Sequence, residues 1–149
     1  MKEIQLTKGT IALIDDEDFE RVSKHSWSYK DSGSGYAQTT IRYKGVSLHR
    51  FIMNAKDGEI IDHINGNGLD NRKENLRFCT LSQNIANSKG RLVRSSYKGV
   101  SKNGKKWKAS IGYMNSLEHI GTFDIAQDAA RAYDEKAREY YKEFARTNF

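Results

Sequence analysis

The sequence predicts an α+β fold in two parts. A β-rich N-terminal region runs into a further strand and a short helix. A three-stranded antiparallel sheet packed on one C-terminal helix follows. Three observations predict it. Short apolar segments divided by Gly, Asn and Asp turns fill most of the first half. Beyond residue 95, three strand-like segments are separated by Asn103-Gly104 and Asn115-Ser116. From Ile125 onward, apolar residues recur at three- and four-residue spacing, as on one face of a helix. The expected boundaries are 1–88, a basic linker at 89–94, and 95–149.

In chain order, residues 3–14 (EIQLTKGTIALI) predict short strands around a Lys8-Gly9 turn. DDEDFERVSK (15–24) predicts a short helix, with acids at its start where they suit the helix dipole. HSWSYK and YAQTTIRYKGVSLHRFIM are β-rich and flank DSGSG (31–35), a hairpin loop. Leu48 to Ala55 has the makings of a short helix. Ile60 to Ile64 reads as a strand ending at the Asn65-Gly66-Asn67-Gly68 bend, and residues 80–88 have helical character. YKGVSK (97–102), KWKASIGYM (106–114) and LEHIGTF (117–123) are the C-terminal strands. Asp124 is the expected cap of the last helix, with Gln127 completing a capping box.

Composition narrows the partners. The 149 residues carry 25 Lys and Arg against 19 Asp and Glu, for a net charge of +6 and a pI near 9.4. A polyanion is therefore the expected partner, nucleic acid before an anionic membrane surface. No apolar run approaches the roughly 18 residues of a membrane span, and MKEIQLTKGT lacks an apolar signal-peptide core. Cys79 is the single cysteine, so neither an internal disulfide nor a multi-cysteine zinc site is expected. A soluble protein of a reducing compartment is the simplest reading. Charge is also uneven. No acid occurs between Glu74 and Glu118, while Arg77, Lys89, Arg91, Arg94, Lys98, Lys102, Lys105, Lys106 and Lys108 fall in that interval. In the 106–114 strand, Trp107, Ala109, Ile111 and Tyr113 alternate with Lys106, Lys108, Ser110 and Gly112. A helix covers one face of such a sheet, and the cationic face is left for solvent or the DNA major groove.

SSYKGVSKNGKKWKASI, IGTFDIAQDAARAYDEKA and ARTNF together resemble the plant Apetala/ethylene-response-factor DNA-binding domain. Tyr97 to Val100, the Trp107-x-Ala109-x-Ile111 strand, Ile120 to Phe123, the Ala129–Asp134 block and Asn148-Phe149 carry the match. The resemblance implies that the outward sheet face reads DNA, through Lys98, Ser101, Asn103, Lys106, Lys108, Ser110, His119 and Thr122. Tyr97, Trp107, Phe123 and Tyr133 would pack the core. Most of the family's reading arginines are absent, and lysines favour phosphate over bidentate base contacts. A relaxed sequence preference follows.

Cutting a phosphodiester needs a base for water, a cation for the scissile phosphate and a scaffold for both. His is the natural base near neutral pH, and a hard divalent cation takes carboxylate, amide and carbonyl oxygens. Asp62, His63 and a later Asn or Asp supply such a set if folding unites them. Leu48-His49-Arg50, Asp62-His63-Ile64-Asn65-Gly66-Asn67, the run from Asn71 to Arg77, Thr80 and Asn84 resemble the HNH nuclease family in its phage and intron homing branch. That match spans 48–88. It implies a ββα-metal module in which His63 is the general base, Asp62 and Asn84 are metal ligands, and Asn75 braces the loop and orients His63. Arg50 would touch a phosphate. Asn65, Gly66, Asn67 and Asn71 would shape turns. His49 would be structural, and His25 and Cys79 packing residues.

The expectation is a DNA endonuclease using one divalent cation, Mg²⁺ or Mn²⁺, without structural zinc. It would act on double-stranded DNA as a monomer or weak dimer and away from membranes. It would nick rather than break both strands, in the cytoplasm of a phage-infected bacterium or a similar host. The alternative is a non-catalytic DNA-binding regulator carrying a remnant of the nuclease segment.

Overall fold

The computed structural model describes residues 1–31, 35–89 and 97–149. Residues 32–34 of the expected 31–35 loop, and most of the expected linker at 89–94, lie outside the described residues. The chain forms two compact units, Met1–Thr80 and Leu81–Phe149.

The first unit holds three small sheets. Strands β1 (Lys2–Gln5) and β2 (Ile11–Ile14) pair antiparallel around a 3₁₀ turn at Thr7–Gly9. A 3₁₀ turn at Asp16–Asp18 leads into the single turn α1 (Phe19–Val22), as the acidic start of that segment predicts. Strands β3 (Ser28–Lys30), β4 (Tyr36–Ile41) and β5 (Lys44–Ser47) form an antiparallel sheet, with Arg42 and Tyr43 as its tight turn. The helix α2 (Leu48–Ile52) follows at once. Ile4, Ala12, Ile14, Val22, Trp27, Ala37, Leu48, Ile52, Ile61 and Leu76 form one core. His25 packs edge-on against Trp27 and Phe51, the packing role expected of it.

Strands β6 (Ile60–His63) and β7 (Leu76–Cys79) make a two-stranded antiparallel ladder, in which Asp62 opposes Arg77 and His63 opposes Leu76. The twelve-residue connection between them is polar. It is tied to β2 by backbone bonds from Leu13 to Leu69 (2.8 Å) and from Asn71 to Leu13 (2.8 Å).

In the second unit, α3 (Leu81–Asn87) comes first. Strands β8 (Val100–Asn103), β9 (Lys106–Tyr113) and β10 (Ser116–Phe123) form the antiparallel sheet β10-β9-β8, and α4 (Ala126–Tyr141) packs against it. Val100, Ala109 and Ile111 meet Ala129, Ala130, Tyr133 and Ala137. Gly99 has φ +74 and lies against the Tyr133 ring, where a Cβ would come within 1.9 Å of Cδ2. Only glycine allows that approach.

Two details differ from expectation. The β9–β10 turn is Met114-Asn115, since Tyr113 pairs with Ser116; both turn residues have positive φ, as a tight hairpin requires. Asp124 does not cap α4. Ile125 holds the N-cap position with no side-chain cap bond, and Asp124 pairs with Lys106 at 3.1 Å instead. Asp134, in the middle of α4, is buried, because its carboxylate receives the backbone N–H groups of Asn148 and Phe149 and the Asn148 amide. No helix among the described residues is long and apolar enough to cross a membrane.

Candidate active site

Asp62 and His63 are consecutive on β6, so their side chains leave opposite faces of the strand. Asp62 is buried, and its Oδ2 accepts both the Nε (3.0 Å) and an Nη (2.9 Å) of Arg77, its cross-strand partner. A buried carboxylate without a cation partner is costly, and Arg77 supplies that partner at Oδ2.

His63 ends the strand. Its Nε2 lies 3.3 Å from Oδ1 of Asn71, which is fully buried. The Asn71 amide donates to the Gly68 carbonyl at 3.4 Å, which directs Oδ1 to the ring. An amide oxygen can only accept, so the imidazole proton belongs on Nε2 and the lone pair on Nδ1. Burial pushes the His63 pKa below the usual 6.5, against the opposing pull of Asn71, Asp62 and Asp70. At pH 7 the ring is therefore neutral and able to take a proton.

Asn75 is hydrogen-bonded across the connection. Its Oδ1 accepts the Asn65 N–H (3.0 Å), and its Nδ2 donates to Asn65 Oδ1 (3.1 Å) and the Asp70 carbonyl (2.8 Å). Its own carbonyl receives the Ile64 N–H. Its effect on His63 runs through the loop, while the ring bond comes from Asn71. Asn71, expected only to shape a turn, is the residue that meets the His63 ring. The signal that could have singled it out is its place one residue before Arg72, in a run that must fold back on the strand carrying His63. Asn65 and Asn67 do shape the bend, through Asn67 N–H to Asn65 Oδ1 and Leu69 N–H to Asn67 Oδ1. Asp70 adds a bidentate pair with Arg72 (2.8 Å each) and accepts from Asn65 Nδ2.

His49, on α2, meets the His63 ring edge to face at a centroid distance of 5.0 Å. Its Nδ1 is buried with no hydrogen-bond partner among the described residues. Burial, then the neighbouring His63 and Arg50, lower its pKa to about 4. Arg50 is not held out toward solvent. Its guanidinium donates to the carbonyls of Glu59 and, at 2.7 Å, Lys56, closing the loop that leads into β6.

Asn84 sits half-buried on α3, in the second unit. On the C-terminal sheet, cross-strand register places Ser101, Lys108 and Thr122 in one row and Ser110 with His119 in the next, on the face away from α4. A bulge at Ile120 keeps Thr122 beside His119, 3.4 Å apart. Asn103 and Lys106 pair at the end of the same face. Lys98 departs from the expectation: its ammonium donates to the carbonyls of Ile85, Ala86 and Ser88 instead of facing outward with that row.

Asp62 and His63 thus end one strand of a two-stranded ladder, beside an asparagine-braced loop. Residues 47–86 match an HNH endonuclease family. A protein of Acanthamoeba polyphaga mimivirus named as an uncharacterized HNH endonuclease is 31% identical over 147 residues, covering 95% of this chain and 76% of the relative. The chain belongs to the HNH endonuclease family and is a nuclease enzyme. HNH nucleases generally use a divalent metal and act on DNA.

The buried neutral His49 ties stability to pH. The folded chain holds this ring below the 6.5 of an unfolded one. The unfolded chain therefore binds the proton first, and stability is full above pH 6.5 and is lost as pH falls toward 4. The loss from this group is up to about 3 kcal/mol. Urea unfolding across that range should show the decline, and His49→Phe should flatten it.

Proposed function

We propose that the protein is a metal-dependent DNA endonuclease that nicks one strand, with His63 as general base and Asp62 and Asn84 as ligands of one divalent cation. The observation that carries this reading is the neutral His63 imidazole held at Nε2 by Asn71, next to a buried carboxylate fixed by Arg77. The donor set suits the cation: a carboxylate and an amide oxygen are hard ligands of the kind Mg²⁺ or Mn²⁺ takes, and neither thiolate nor imidazole is needed.

In the proposed reaction, His63 Nδ1 takes a proton from a water. The water oxygen attacks phosphorus in line with the 3′ oxygen, which leaves and takes a proton from solvent. A 5′-phosphate and a 3′-hydroxyl remain, and the proton on His63 returns to solvent. Asp62 and Asn84 would hold the cation, which supplies charge neutralisation at the phosphorane and the leaving oxygen. Arg77 keeps the Asp62 carboxylate aligned for that task. The loop braced by Asn75 keeps Asn71, and through it the His63 ring, in place.

The outward face of the C-terminal sheet would hold duplex DNA through Ser101, Asn103, Lys106, Lys108, Ser110, His119 and Thr122, in the manner of the Apetala/ethylene-response-factor-like domain it resembles. Its rows of polar side chains, exposed at Ser101, Asn103, Lys106, His119 and Thr122 and half-buried at Lys108 and Ser110, support this. The HNH resemblance favours a homing-type role in a phage-infected or similar host cell, with the protein acting in the cytoplasm as a monomer or weak dimer.

Supercoiled plasmid tests the chemistry. Nicking should require Mg²⁺ or Mn²⁺ and stop in EDTA. His63→Ala should slow it by about a hundredfold or more, the usual worth of a general base. Equal nicking by the variant would overturn the assignment. The DNA face is tested by salt titration of duplex affinity. Lys108→Ala should weaken binding and reduce the log–log salt slope by about 0.9, as for one lost phosphate contact. Ser110→Ala should leave the slope unchanged.

A further inference from the structure

Asn84 lies on a helix that has little of its own to hold it. The helix α3 is seven residues long, and helices this short are marginal on propensity alone. Its last turn contains no basic residue to meet the exposed carbonyls at its negative end. Ser88, the residue after the helix, meets the Ile85 carbonyl through its N–H (3.1 Å) and its hydroxyl (2.7 Å), and groups distant in sequence meet the rest. The Lys98 ammonium donates to Ile85 (3.4 Å), Ala86 and, just past the helix, Ser88 (2.7 Å). The Arg146 backbone N–H adds a bond to the Ala86 carbonyl at 3.2 Å.

Lys98 is in turn fixed at its backbone. Its N–H donates to Asn148 Oδ1 (2.7 Å), and its carbonyl accepts Asn148 Nδ2 (3.2 Å). Asn148 is held by the buried Asp134 of α4 through its N–H (2.8 Å) and its amide (2.9 Å). A continuous polar chain thus runs from the core of α4 through Asn148 and Lys98 to the end of α3. Lys98 is half-buried, and burial, with Arg146 nearby, lowers its pKa to about 8. An ammonium placed to meet phosphates would lie on the outer sheet face; this one is turned to the helix carbonyls.

The geometry points to Lys98 as a positioning residue for Asn84: its ammonium ties the helix that carries Asn84 to the α4 core. This rests on the reading of Asn84 as a metal ligand. It separates Lys98 from the DNA-facing residues of the sheet and gives the C-terminal unit a task besides holding DNA.

The full-length protein, Lys98→Met and Asn84→Ala are compared in four measurements: Mn²⁺ affinity without DNA, duplex affinity in EDTA, kcat and KM for plasmid nicking, and amide exchange in α3. Lys98→Met should lower Mn²⁺ affinity about tenfold, the scale on which residues behind a ligand act. It should lower kcat with KM unchanged, and speed exchange of the α3 amides. Its duplex affinity in EDTA should match the parent's. Weakened duplex binding with native Mn²⁺ affinity would make Lys98 a DNA contact and overturn the inference. Native exchange in α3 would overturn it as well. Asn84→Ala with native Mn²⁺ affinity would overturn the ligand reading by itself, and the exchange rates would still judge whether Lys98 holds the helix. If Lys98→Met does not fold, Lys98→Gln, which removes the charge and keeps an N–H donor, is put through the same measurements.

Discussion

The Asn75 carboxamide holds together the polar connection on which the site is built. Between β6 and β7 the chain turns through residues with almost no apolar side chain to bury, Ile64 and Leu69 excepted. A loop of that composition keeps its shape only if its buried polar groups find one another. Asn75 satisfies two groups of Asn65 and the carbonyl of Asp70 at once. With Asp70 fixed, Asn71 is directed inward, and with Asn71 inward, the His63 ring has one orientation and one tautomer. The geometry of this loop depends on amide hydrogen bonds more than on packing.

The N-terminal strands acquire a purpose from the same loop. They contribute no side chain to the proposed chemistry. Their contribution is the exposed edge of β2, where Leu13 exchanges backbone bonds with Leu69 and Asn71. Just beyond, Asp15 accepts the Lys73 N–H at 2.8 Å, and Lys73 pairs with Glu17. On the opposite side, Arg21 donates to the Ile52 and Phe51 carbonyls while paired with the buried Asp18, which secures the end of the helix that carries His49. The β-rich region is a frame for the loop and for α2.

Much of this was legible in the sequence, and the gaps share a cause. Periodicity revealed the sheet-and-helix unit and the inward set Trp107, Ala109 and Ile111, because apolar alternation is a direct record of burial. The Asp62-His63 pair stood out because a base beside a carboxylate at a strand end has few structural reasons to exist. Polar residues that fold inward left no such record. Asn71, Asp134 and Asn148 look like turn and surface residues, and only tertiary partners give them their roles. Lys98 shows the complementary case: a lysine in a cationic run reads as a DNA contact, and its bonds to the carbonyls at a helix end leave no mark in the sequence. Asp124 was lost to a choice of one residue, where a surface ion pair with Lys106 took a side chain that could have capped α4.

The central claim is that His63 is a neutral base whose proton sits on Nε2 because Asn71 accepts it. Long-range ¹H–¹⁵N correlation of the His63 ring in the full chain, between pH 5 and pH 8, tests this most directly. The account predicts the Nε2–H tautomer at pH 7, a titration midpoint below 6.5, and a mixture of tautomers in Asn71→Ala. A proton on Nδ1, or a ring already protonated at pH 7, would contradict it.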